Sequence, residues 1–61
     1  MLRIERLMEE AERRGHREYR ARWILGTIRP NAEPLIGWND DARAAFRDGQ
    51  AYVKEGAGDA E

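Results

Sequence analysis

Reactive side chains concentrate in one segment of this chain, Arg13-Arg14-Gly15-His16-Arg17-Glu18-Tyr19-Arg20-Ala21-Arg22-Trp23. It holds five arginines, a histidine and two aromatics against one carboxylate. Guanidinium groups bind phosphate and carboxylate bidentately, so the chemistry on offer is anion recognition. The anion would be either a nucleic acid or an acidic protein surface. Covalent or acid–base catalysis is not expected. Cys and Ser are absent, Thr27 is the sole aliphatic hydroxyl and His16 the sole histidine. Acid–base work requires positioned groups in a concave site, which so short a chain can hardly build. His16 and Glu12 are four residues apart, but two helical ligands make an incomplete metal site. We therefore expect no metal, no cofactor and no small-molecule substrate. Asp40-Asp41 looks like a carboxylate pair, yet helix capping accounts for it.

Most of the arginines have carboxylates at helical spacing. Glu9–Arg13, Glu10–Arg14, Arg14–Glu18 and Glu18–Arg22 are all i,i+4 pairs, each worth about 0.2–0.5 kcal/mol. Arg17 and Arg20 are the exceptions: Arg17 has Arg13 and Arg20 as helical neighbours, and Arg20 faces His16, Arg17, Trp23 and Ile24. Arg6, Arg13, Arg17 and Arg20 line the side opposite the apolar face. Arg13, Arg17 and Arg20 are thus the candidate polar contacts, free to meet phosphates or carboxylates.

Bulk properties narrow the class. Sixty-one residues form one domain at most, and such a domain buries little surface. Without cysteine it has no disulfide to reinforce it. Oligomerisation or docking on a larger partner is the expected supplement. The net charge of −1 hides an asymmetry: residues 1–30 carry +3 and residues 31–61 carry −4. Opposite-signed halves can neutralise one another on folding, which weakens any global nucleic-acid footprint. No apolar run approaches the roughly 20 residues of a membrane span. The first residues alternate charge and apolarity, unlike a signal peptide. The expectation is a soluble cytoplasmic protein without membrane partners.

Periodicity predicts an all-α fold. Ile4, Leu7, Met8, Ala11, Gly15, Tyr19, Arg22 and Gly26 share one face of a helix over residues 2–28. The register runs through Gly15, at a cost of about 1 kcal/mol relative to alanine. The alternative is a helix ending at Arg14 with Gly15 as a left-handed cap. Arg29-Pro30-Asn31-Ala32-Glu33-Pro34 breaks the helix. The apolar connector Leu35-Ile36-Gly37-Trp38 is expected to pack on Trp23, Leu25 and Ile28. A second helix over residues 40–55 starts at Asn39 or Asp40 and presents Ala42, Ala45, Phe46, Gly49, Tyr52 and Val53. It packs back as a helical hairpin, with Gly49 marking close approach of another backbone. Gly56 caps it, closing a domain of residues 1–55, and residues 56–61 read as a disordered acidic tail.

A helix of about 27 residues spans about 40 Å, and one of 15 about 22 Å. The second helix cannot cover the first, so Ile4, Leu7 and Met8 are expected to stay open as an apolar contact patch. A break at Gly15 would instead allow a three-helix bundle that buries the stripe. Trp38, beside Gly37, joins the candidate partner-binding residues, because tryptophan is enriched in binding hot spots. The resulting expectation is a small non-enzymatic interaction module, a regulator or inhibitor of phage-type accessory character. It would bind a larger protein or form a homodimer through its first helix.

A second expectation comes from a resemblance. Leu7-Met8-Glu9-Glu10-Ala11-Glu12-Arg13-Arg14-Gly15-His16 resembles the first helix of ribosome modulation factors. Ala45-Phe46-Arg47-Asp48-Gly49 is similar to the aromatic and glycine of that family's second helix. The spacing between the two stretches is longer here, and Pro34-Leu35 stands where the family has Pro-Tyr. The resemblance implies an RNA or ribosome partner.

Overall fold

The computed structural model describes residues 3–56. It is all-α among those residues: α1 (Arg3–Arg13), a 3₁₀ turn (Arg17–Tyr19), α2 (Arg20–Ile28) and α3 (Asp40–Lys54). Of the tail expected at 56–61, residues 57–61 lie outside the described residues.

The single long helix over 2–28 is corrected to two helices separated at Gly15. Gly15 has φ +90°, a conformation that suits glycine. Its N–H donates to the Glu12 carbonyl at 3.0 Å, and the His16 N–H donates to the Ala11 carbonyl at 2.8 Å. This crossed pair is the Schellman motif, which satisfies carbonyls left open at a helix end. The glycine that would weaken a continuous helix here ends one. Gly56 closes α3 similarly, with φ +87° and its N–H on the Val53 carbonyl.

Breaking the helix lets α1 fold onto the rest of the chain. Ala11 becomes fully buried with Trp23, Ile24 and Ala45, and Leu7, Met8, Tyr19 and Tyr52 pack around them. The stripe expected to lie open is thus largely absorbed into the core, and only Ile4 stays substantially exposed, at 46%.

α2 and α3 meet through reciprocal glycines. A Cβ on Gly26 would collide with the Phe46 carbonyl, and one on Gly49 with the Trp23 carbonyl. Each helix backbone therefore sits in the notch of the other, as expected at Gly49. Trp23 and Phe46, both fully buried, fill the space beside this crossing.

The connector begins against the later part of α3 and ends near the start of α2. Gln50, only 5% exposed, donates from Nε2 to the carbonyls of Arg29 at 3.0 Å and Ala32 at 2.6 Å. Trp38 stacks edge-on against Phe46 with centroids 5.3 Å apart, and the Arg22 guanidinium lies 4.7 Å from its ring. Asn39 caps α3 by accepting the Ala42 N–H at 2.8 Å, and its Nδ2 donates to Tyr19 Oη. The expected packing of the second helix back on the first segment survives as the α2–α3 contact. The connector's own packing is corrected: Leu35 and Ile36 do not cover Trp23, Leu25 and Ile28. Leu35 and Ile36 are 65% and 95% exposed, and it is Trp38 that packs on Phe46.

Candidate interaction surface

α3 has two edges of opposite charge flanking its buried face. Asp41 and Asp48 lie on one. Arg43, Arg47 and Lys54 lie on the other, within about 40° of arc at 3.6 residues per turn.

Asp48, on the acidic edge, is used internally. Asp48 accepts hydrogen bonds from Arg14 Nε at 2.9 Å and Nη2 at 3.4 Å, and from the buried Trp23 Nε1 at 2.9 Å. His16 Nε2 stands 3.2 Å from the same carboxylate. One side chain thereby links the end of α1, the following turn and α2 to α3. Partial burial pushes the Asp48 carboxyl upward, which is the largest single influence. The hydrogen bonds from Arg14 and Trp23, with the charges of Arg14 and His16, together outweigh it and hold the group below its ordinary value. The Arg14 guanidinium is raised, first by its hydrogen bond to Asp48. Arg14 also lies 5.4 Å from the centre of the Tyr52 ring. A shallow groove beside this edge is lined by Gly15, His16, Arg17, Glu18, Tyr19, Asp41 and Ala44.

Breaking the helix redistributes the arginine pairings. Glu10 binds Arg14, as the spacing predicts, at 3.2 Å, and also Arg13 at 2.8 Å, where Glu9 was the expected partner. Arg14–Glu18 and Glu18–Arg22 do not form ion pairs, because the turn intervenes. Arg20 donates to the Arg17 carbonyl at 2.9 Å and stands 3.8 Å from Glu12. Of the three candidate polar contacts, Arg17 alone keeps a side chain without an ion-pair partner among the described residues. Two of the three stripe residues thus face carboxylates of α1 instead of standing unpaired.

The other edge of α3 is used differently. Arg43, Arg47 and Lys54 are exposed, and none has an ion-pair partner among the described residues. Arg47 precedes Gln50 by three residues and Lys54 follows it by four, so all three share one helix side. Gln50 binds the carbonyls of Arg29 and Ala32, and Phe46 holds Trp38, so the connector runs along this edge. Ile28, the last residue of α2, is 63% exposed, and on the connector Leu35 is 65% and Ile36 95% exposed. Arg29, also exposed and without an ion-pair partner among the described residues, adds a fourth cation.

The candidate patch of Ile4, Leu7 and Met8 is thus largely committed to the core, and Trp38 is committed to Phe46 and Arg22. Sequence reasoning missed Asp48, Gln50 and the cationic edge. The edge had a readable signal, since Arg43, Arg47 and Lys54 repeat at helical spacing opposite Ala45 and Gly49. No helix is long and apolar enough to cross a membrane, and no group of three side chains is placed to hold a metal ion, among the described residues. No protein-family model, curated protein or solved structure matches the chain.

Proposed function

We propose that this chain is a small non-enzymatic protein-binding module that docks on a larger protein through its connector rather than through its first helix. One observation carries the reading: Ile28, Leu35 and Ile36 stand mostly exposed within a single short stretch. Scattered surface aliphatics are ordinary, but several on one segment mark an interaction site. Covering each side chain contributes about 1.5–3 kcal/mol, enough for a compact anchor. RNA or ribosome binding through Arg13, Arg17 and Arg20 draws less support, because Arg13 and Arg20 already face Glu10 and Glu12. Homodimerisation through the first helix is likewise weakened by the burial around Ala11.

A photoreactive residue in place of Ile36, with a control in place of Glu9, tests the site. The partner crosslinked from the native host is then purified and titrated. Leu35→Ser with Ile36→Ser is expected to weaken binding by about tenfold or more with helicity unchanged. Crosslinking at Glu9 but not at Ile36, or unchanged affinity of the double variant, would sink the reading.

A further inference from the structure

The apolar connector does not stand alone, because it is bordered by cations that the fold does not use. Arg29, Arg43, Arg47 and Lys54 have no ion-pair partners among the described residues. Arg13, Arg14 and Arg20, from the nominally basic half, are each held by carboxylates. Cations are thus left without ion-pair partners in the half of the chain that is acidic by count, at Arg43, Arg47 and Lys54. The connector that carries the exposed Leu35 and Ile36 is tethered to α3 at Gln50 and at Phe46, within four residues of Arg43, Arg47 and Lys54 along the same helix.

From this juxtaposition we infer that the module's partner is an acidic protein segment studded with apolar side chains, its carboxylates meeting Arg43, Arg47 and Lys54 while its apolar residues cover Leu35 and Ile36. The inference rests on the protein-binding reading above and adds the partner's chemistry. Charge complementarity selects the acidic character, since like charges across an interface are disfavoured. The aliphatics select protein over nucleic acid. Single-stranded nucleic acid is held by aromatic platforms on which bases stack. Here Trp23 and Phe46 are buried, and Trp38 is engaged by Phe46 and Arg22. An anionic membrane would also satisfy the cations, so vesicles enter the test as a competing occupant.

The test uses the full chain and four fluorescent probes measured by anisotropy. They are an acidic amphipathic peptide with leucines at helical spacing, the same peptide with serines for the leucines, a single-stranded RNA, and phosphatidylglycerol vesicles. The leucine peptide is expected to bind tightest, with its amide-shift footprint on residues 28–36 and 43–54. Arg43→Glu with Arg47→Glu should weaken it at least tenfold with the circular dichroism unchanged, and the serine peptide should lose a similar factor. Absence of binding by the leucine peptide, equal binding of the serine peptide, or tighter binding of RNA or vesicles overturns the inference. Self-association that excludes the peptide in sedimentation overturns it too, a second copy then being the occupant. If Leu35→Ser with Ile36→Ser weakens the natural partner while the charge reversals do not, only the acidic chemistry fails. If neither pair matters, the protein-binding reading fails as well.

Discussion

The two edges of α3 belong to one helix, yet only one carries a side chain tied to the other elements among the described residues. The Asp48 edge faces inward in function: its carboxylate meets Arg14, His16 and Trp23 and ties the other elements together. The Arg43–Arg47–Lys54 edge makes no such ties among the described residues. The difference shows how a domain this small divides its charges. Some, such as Asp48 with Arg14, tie a folded-back α1 to α3, while Arg43, Arg47 and Lys54 make no ion pair among the described residues. Stability should therefore respond to one edge and binding to the other, which substitutions can separate.

The largest effect is expected at the crossing on which both edges depend. Gly49→Ala gains about 1 kcal/mol of helix propensity. That gain is opposed by a Cβ placed on the Trp23 carbonyl, where a backbone rather than a flexible side chain must give way. Separating the helices would also disturb the packing of Trp23 and Phe46. A net loss of about 3 kcal/mol or more is expected. Against a total of about 3–9 kcal/mol for a domain of this size, much of the chain should unfold at room temperature. A denaturant midpoint equal to that of the native chain would contradict the interlocked crossing.

Asp48→Ala comes next. It removes the acceptor of the buried Trp23 indole N–H and the carboxylate facing Arg14 and His16. An unsatisfied buried donor costs about 1–3 kcal/mol, and the exposed share of the ion pairs adds little. We expect a loss of about 2 kcal/mol, read from urea unfolding.

These two residues also mark where sequence reading succeeds and where it stops. Asn39 as N-cap, Gly56 as C-cap and Gly49 as a close-approach point follow from local pattern, and the structure has all three. The break at Gly15 does not. A glycine within a helix and a glycine ending one differ locally by about 1 kcal/mol. The balance is set by contacts distant in sequence, the burial of Ala11 and the reach of Arg14 to Asp48, 34 residues away. A helical wheel assigns Arg14 to Glu10 and Glu18, and has no means of offering it Asp48. Gln50 was missed because its role depends on the path of the connector, which two prolines leave undetermined. Once α1 is placed, Leu7 and Met8 pack against the core, and the exposed large aliphatics are Ile4, Ile28, Leu35 and Ile36.

Acid titration sharpens the role of the Asp48 edge with a smaller effect. The folded-state carboxyl is depressed below the ordinary value of 3.8. Its contribution is therefore present in full above that value and lost as the pH falls through the folded one. Asp48→Asn keeps an acceptor for Trp23 but has no charge to lose. The native chain should lose stability more steeply than Asp48→Asn in the range below about pH 4. Parallel acid-unfolding curves would show that the carboxylate's charge contributes nothing.

The smallest expected change in stability belongs to the opposite edge and is the most telling for the comparison. Arg47 is exposed, with no ion-pair partner among the described residues, so Arg47→Ala removes no internal bond. Alanine is also a slightly better helix former. Unfolding should shift by no more than about 0.5 kcal/mol in either direction. Asp48 is the next residue along the same helix, so its alanine variant is a control for backbone context. A loss at Arg47 as large as that at Asp48 would mean that the cationic edge is structural and would remove the physical basis for assigning it to a partner. A neutral Arg47→Ala leaves that edge without a role in folding, as the division of charge across α3 requires.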